Sequence, residues 1–410
     1  MAEFGCLYSE VLLTRNAWEK RKLREITEIN PKGKIPEVFR YVDLESVKNS
    51  SIISSKIETK QTAPSRAQRT AEIGDVFYQT VRPYQKNNVI FLLHSSMPYV
   101  FSTGYAQLRS NMNSFFILYL VQTDGFVNDV LNRATGTSYP AINPTHLATI
   151  IVCFPKIVSE QNRIGQVLEH LDNLITATQD KLSFLKKMKM FFLQQIFPTK
   201  DHDVPQIRFD GFTDAWSHYK LGSLMRIDKE QEVKKELLTD IQKGFYVLAM
   251  RTFSMDGYID HSKPYWLNCL DNVSDDKFLL PREFAILDAD MDANLPKIGR
   301  VLLNASSEKY LLAAHVRKIQ VKSGNDPIFI YALMRGNSVH ERLKLEANGS
   351  ISKRLLDKNV YKQSILVPNR SEQSKIGRLF FLLETTITLH QQKIQMLKQV
   401  KKSCLQNLFI

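Results

Sequence analysis

At 410 residues the chain is too long for one ordinary core and predicts two or three domains. Its 43% apolar and 24% charged residues are those of a folded globular protein, which excludes wholesale disorder. Lys and Arg outnumber Asp and Glu by 55 to 42, a surplus that attracts polyanions such as nucleic acid. The longest apolar runs, such as residues 115–121, are far shorter than the ~20 residues that cross a bilayer, so no membrane span is expected.

Residues 1–16 read as an N-terminal extension. Glu3 and Glu10 stand where a secretory leader would be basic, so a cytoplasmic protein is expected. Cys6, Cys153, Cys269 and Cys404 are too far apart for a metal pair or a disulfide scaffold and read as reduced thiols.

Residues 17–154 form a first globular segment, with strand-like runs at 39–44, 75–81, 89–93 and 115–120. Its loops carry Arg66 and Arg69, then Arg82, Tyr84, Lys86 and Asn87, then Arg133, Thr137, Ser138 and Tyr139. Guanidinium and amide groups pair bidentately with guanine and adenine edges, and hydroxyls suit phosphate oxygens, so these loops are candidates for DNA contact. Asn143-Pro144 reads as a turn, because the second proline and the aromatic of a methyltransferase loop are missing.

Residues 155–200 then change pattern. Ile164, Leu168, Leu171, Ile175, Thr178, Leu182 and Leu185 step by alternating four and three, the seam of a coiled coil. Residues 201–367 form a second globular segment whose candidates are Arg251, Arg335, Asn337, Lys353 and Arg354, with a turn at Asp256-Gly257 and a strand at 301–303. Residues 368–410 repeat the seam as Ile376, Phe380, Leu383, Ile387, His390, Ile394 and Leu397.

The two helical segments are copies. Shifted by about 212 positions, Ser159 to Phe197 overlays Ser371 to Phe409 without a gap, with roughly 16 of about 39 residues identical. Polar residues interrupt both seams at matching steps, Thr178 with His390 and Lys189 with Lys401. Ser159 and Ser371 are expected as N-caps. A helix of about 39 residues reaches about 58 Å, so its seam needs a partner of equal length, and the sister helix is the natural one. Weaker echoes join Trp18, Lys22 and Leu23 to Trp216, Lys220 and Leu221, and residues 134–138 to 347–351. Residues 24–133 and 222–346 show little likeness. No nucleotide-binding Gly-x-x-x-x-Gly-Lys loop and no spaced His/Cys set occurs, so neither a motor, a metal site nor a catalytic residue is assigned.

This arrangement resembles the specificity subunits of type I restriction-modification enzymes. The resemblance rests on Phe209-Asp210-Gly211-Phe212 with Trp216 and Lys220-Leu221, on Gly136-Thr137-Ser138-Tyr139, and on Ser-Glu-Gln-x-x-Ile-Gly at Ser159 and Ser371. It adds Lys-x-x-x-Leu-Lys at Lys181 and Lys393, and covers the chain from about residue 17. It implies an α+β protein with two α/β target-recognition domains, held apart by two long helices in an antiparallel coiled coil. Each domain would read one half of a bipartite double-stranded DNA site. Two methylase subunits using S-adenosylmethionine, and two restriction subunits using ATP and Mg²⁺, would be the partners, with no cofactor in this chain and no chemistry of its own. The rival expectations are a free-standing DNA-binding regulator or adaptor, and a nuclease or methyltransferase with an unrecognised site.

Overall fold

The computed structural model describes residues 18–409, apart from 199–203, 232, 234, 255–257, 262–264, 269–272, 293 and 350–351. The extension 1–16, Cys6, Cys269 and the turn at Asp256-Gly257 lie outside the described residues. The chain divides into two units, residues 1–177 with 394–410 and residues 178–393. Two long helices, Val158–Gln195 and Arg370–Asn407, each contribute residues to both.

The strands of the first unit are β1 (Trp18–Lys22), β2 (Glu28–Ile29), β3 (Val38–Val42), β4 (Val47–Lys48), β5 (Ser51–Ile52) and β6 (Lys56–Thr59). They continue with β7 (Ala67–Thr70), β8 (Val76–Gln79), β9 (Val89–Ile90), β10 (Tyr99–Ser102), β11 (Tyr105–Arg109) and β12 (Ile151–Pro155). One sheet has the order β2-β11-β8-β9 and another β6-β3-β10-β7, with β3 and β10 parallel; β1 pairs antiparallel with β12.

The second unit holds β13 (Ser217–Lys220), β14 (Met225–Ile227), β15 (Leu238–Thr239), β16 (Phe245–Leu248), β17 (Trp266–Leu267), β18 (Phe278–Leu279) and β19 (Phe284–Leu287). There follow β20 (Ala289–Asp290), β21 (Val301–Leu303), β22 (Tyr310–Leu312), β23 (Val316–Val321), β24 (Lys353–Arg354) and β25 (Ser364–Val367). The order β14-β23-β19-β21 repeats the first sheet, the parallel pair β16 and β22 lies between β17 and β18, and β13 pairs with β25. Segments with little sequence likeness therefore share one frame. Packing asks only for apolar residues at alternate strand positions, which many sequences satisfy.

The run 115–120 is a helix, Ser114–Leu120, and not a strand. A short apolar run fits either element, and here Asn113 decides: its Oδ1 accepts from Phe116 N at 3.0 Å and starts the helix. In the second unit Asp326 does the same for Pro327–Arg335, accepting from Ile328 N at 3.0 Å and Phe329 N at 3.1 Å. Both caps sit against a glycine of a long helix. A Cβ on Gly165 would lie 2.6 Å from Asn113 Oδ1, and one on Gly377 would lie 2.4 Å from Asp326 Oδ1. The repeated glutamines tie the same corner, Gln161 donating to Pro155 O at 2.8 Å and Gln373 to Pro368 O at 3.0 Å. The Gln-x-x-x-Gly spacing is thus the footprint of a short helix docked end-on. Ser159 and Ser371 are not the caps: they lie inside helices that begin at Val158 and Arg370, and Asn369 Oδ1 takes Glu372 N at 3.0 Å.

The seam residues are buried in each unit. Ile164, Leu168, Leu171 and Ile175 join Leu397, Cys404 and Leu408 in the first core, and Leu185, Leu193 and Ile196 join Ile376, Phe380, Leu383 and Ile387 in the second. Thr178 and Ile394 are also buried, whereas Leu182 and His390 are half-buried. The polar steps at Lys189 and Lys401 are paired. Lys401 Nζ meets Asp172 Oδ1 at 2.6 Å, and Lys189 meets Glu384. Each carboxylate also accepts a tyrosine hydroxyl from the docked helix, Tyr119 at 2.8 Å on Asp172 and Tyr331 at 2.5 Å on Glu384. Asp172 and Glu384 are equivalent in the repeat, as are the two lysines, so one Tyr-carboxylate-Lys arrangement is built twice.

Candidate nucleic-acid interface

In the first unit the loop after β8 is shaped by the buried Gln79. Its amide donates to Val81 O at 2.7 Å and Gln85 Oε1 at 2.9 Å, and its Oε1 accepts from Asn87 N at 3.3 Å. Asn88, fully buried, accepts from Gln79 N at 2.8 Å. This frame holds two non-glycine residues in the left-handed region, Arg82 at φ 54° and Lys86 at φ 53°. Left-handed backbone costs roughly 1–2 kcal/mol per residue, which the buried amide bonds offset.

A second loop lies beside it. Thr135 and Ala141 exchange hydrogen bonds at 2.9 Å, Arg82 N donates to Pro140 O at 2.8 Å, and Gly136 turns the chain at φ 90°. The Arg82 guanidinium stands 4.1 Å from the ring centre of Tyr139, which is 65% exposed. The loop of Arg82, Tyr84, Lys86 and Asn87 thereby lies beside the loop of Thr137, Ser138 and Tyr139, joined through Arg82. Lys86 is held by Asp124 at 2.6 Å, and Arg133 Nη1 by Thr149 at 3.2 Å. The backbone of Arg66 is tied to the β10–β11 turn, where Thr103 N donates to Arg66 O at 2.8 Å, and that turn to the end of β8, where Thr80 N donates to Gly104 O at 3.0 Å. Arg69 is half-buried on β7, where burial lowers the pKa of its guanidinium. The Nε atoms of Arg69 and Arg82 are buried without a hydrogen-bond partner.

The second unit places a different set on the same frame. The buried carboxylate of Asp290 takes the role of Gln79, accepting from Asp292 N at 3.0 Å and Lys297 N at 2.8 Å. Asn348 and Arg354 exchange hydrogen bonds at 2.9 and 2.7 Å, as Thr135 and Ala141 do, and Gly349 turns the chain at φ 128°. The faint sequence echo between 134–138 and 347–351 marks this shared loop closure. Arg354 lies 3.2 Å from His315 and 3.6 Å from Glu230, while Lys353 is half-buried beside it. Burial pushes the neighbouring Asp288 carboxyl up in pKa, against the lowering pull of Arg317 and His315. Arg251 pairs with Asp240 at 2.7 Å and lies 4.3 Å from the Tyr265 ring centre.

Asn337 is exposed and borders a cavity of about 400 Å³ shared with Leu193, Phe197 and Arg342. Arg335 is different: it is only 6% exposed, in the last turn of a helix buried on all sides. Its run of apolar neighbours carries the cation inward, so Arg335, a candidate for DNA contact by its polar stretch, is buried. Gln79, Asp290 and Asn88 escaped sequence reading because their work is to hold backbone, for which a lone amide or carboxylate gives no pattern.

Among the described residues no group of His, Cys, Asp or Glu could hold a metal ion. Cys153 and Cys404 are free thiols. No helix of the described residues is long and apolar enough to cross a membrane.

The family model described as type I restriction modification DNA specificity domain matches residues 16–187 and again residues 213–399. The chain belongs to this family. Each specificity domain comprises one globular segment and most of the long helix that follows it. The fold is similar to that of the type I restriction-modification S subunit from M. genitalium, with 12% identity over 97% of this chain and 98% of that one and a TM-score of 0.65. It is also similar to a chain from a structure titled for complex assembly and conformational transition of the type I R-M system, with 18% identity over 96% of this chain and 97% of that one and a TM-score of 0.50. No curated protein matches the chain. The two specificity domains thus stand on the family match, and the structural likenesses support the fold.

Proposed function

We propose that the chain is the specificity subunit of a type I restriction-modification complex in which each specificity domain reads one half of a split DNA site. The observation that carries this is one frame built twice with unlike loops. Strand orders, glycine turns and loop closures agree, while the exposed side chains that could meet DNA differ. Unlike loops on like frames suit two different half-sites, and a fixed connection between them suits a fixed gap. Each good bidentate contact contributes about 1–3 kcal/mol of discrimination, so two readers accumulate what one small domain does not reach.

The helices would form the antiparallel coiled coil that sets the gap. The repeated Lys-carboxylate pairs support this, since polar groups in a seam fix register. Their outer faces would dock two methylase subunits. Phe184 and Phe191, seven residues apart, are 57% and 49% exposed, and Leu382 and Leu389, also seven apart, are 55% and 58% exposed. Exposed apolar residues at heptad spacing favour a helical partner. Methyl transfer and DNA translocation would lie on the partner subunits with S-adenosylmethionine, ATP and Mg²⁺, leaving this chain a reader without catalytic groups.

The test is affinity purification from the native host. A methylase is expected to co-purify with the chain, and Phe184→Asp combined with Leu389→Asp is expected to reduce its recovery at least tenfold, by burying charge in an apolar contact. Recovery of the folded chain on DNA with no methylase would instead favour the free-standing regulator.

A further inference from the structure

The two Tyr-carboxylate-Lys arrangements differ in exposure and in the partners of the lysine. In the first unit Asp172 and Lys401 keep 32% and 19% of their side-chain exposure, whereas Glu384 and Lys189 keep 3% and 2%. Lys189 also has a further partner: its Nζ donates to the Tyr258 hydroxyl at 2.9 Å and lies 4.5 Å from the centre of that ring. Tyr258 belongs to the globular segment of the second specificity domain. It closes a small hairpin in which Phe253 bridges Ile259, Ser254 N donates to Tyr258 O at 2.9 Å, and Tyr258 N donates to Ser254 Oγ at 2.8 Å. At the base of that hairpin stand Arg251, exposed and a candidate for DNA contact, and Met250, whose carbonyl accepts from Lys297 Nζ at 3.5 Å.

The first domain has a hairpin at the same place in its frame. A short 3₁₀ turn follows β3 as one follows β16, and β4 and β5 then pair across Asn49 and Ser50. That hairpin is tied to its own globular segment: Gln122 donates to Ser50 Oγ at 2.9 Å, and Asn49 N to Asn87 Oδ1 at 3.4 Å. The second hairpin is tied also to a residue on the long helix of the first repeat. A charge-assisted bond from a buried lysine is stronger and less tolerant of displacement than a neutral surface bond.

We propose that Lys189 is a positioning residue for the second reader, holding the loop that carries Arg251 through the Tyr258 hydroxyl, and so helping to decide which bases the second half-site accepts. The inference rests on the two-reader function above. Glu384 pairs with the lysine, the Tyr258 ring covers it, and the hydroxyl passes its position to the hairpin. Arg251 then approaches DNA from a fixed base.

The test uses the complete complex from the native host and maps its methylated adenines, scoring base discrimination in each half of the site. Tyr258→Phe keeps the ring and removes the acceptor. It is expected to lower discrimination roughly three- to tenfold, the size of one hydrogen bond, at bases of the half-site assigned to the second domain. The first half-site and the gap are expected to stay as in the unaltered protein. Lys189→Met with Glu384→Met, which removes both charges, is expected to show the same one-sided relaxation, and Lys189→Arg to restore part of it. Tyr119→Phe is the control, since Tyr119 meets Asp172 and no reading loop. A general loss of stability would weaken both halves alike, so equal relaxation of both, or unchanged discrimination after Tyr258→Phe, overturns the proposal. An undivided site for the unaltered protein would overturn the two-reader function, and the inference with it.

Discussion

Glu384→Leu is expected to destabilise the second unit by about 3–5 kcal/mol, because it leaves the Lys189 ammonium buried without its carboxylate. The same change orphans the Tyr331 hydroxyl, which donates to Glu384 at 2.5 Å inside the core. Removing both charges, as Glu384→Leu with Lys189→Leu, is expected to recover most of the loss, since the cost lies in the uncompensated ion. The equivalent change in the first unit, Asp172→Leu, is expected to cost less, about 1–3 kcal/mol, because Tyr119 loses its acceptor while the lysine left behind remains in contact with water. Hydrogen exchange followed separately over the two units reads both values. Equal losses in the two units would show that burial does not distinguish the pairs.

Gly377→Val and Gly165→Val are expected to undo the docking of the short helices. Their Cβ atoms would stand 2.4 Å from the Asp326 cap oxygen and 2.6 Å from the Asn113 cap oxygen, closer than real Cβ contacts come. Either the cap rotates away, at about 1 kcal/mol for a lost cap, or the long helix lifts, at about 1–3 kcal/mol for overpacking. Each variant is expected to lose about 2–4 kcal/mol in its own unit, measured by denaturant unfolding with a fluorescent probe on that unit. An unchanged midpoint would mean that the glycines are there for some reason other than close approach.

Much of the architecture was legible because the helices are long and copied. Heptad steps from Ile164 to Leu185 and from Ile376 to Leu397 leave few alternatives to a buried seam, and the copy at Ser371 to Phe409 repeats the docking glycine and the Lys-carboxylate pair of the first. The run 115–120 was not legible, since six apolar residues satisfy a helix or a buried strand equally until Asn113 is seen as a cap. The common frame of the two globular segments was also hidden, because strands with different apolar residues can occupy the same ladder. Among the candidates, Arg82 with Tyr139 and Arg354 near Glu230 lie where loops converge, whereas Arg335 shows that a polar-looking stretch can belong to the end of a buried helix. Lys189 was visible as a break in the seam; its partners Glu384 and Tyr258 required the fold.

Two unlike readers on one duplicated frame should be separable. The most direct measurement exchanges residues 24–150 for those of another family member and maps methylated adenines in the native host. One half of the recognised site should change, with the other half and the gap retained. Alteration of both halves together would contradict independent readers.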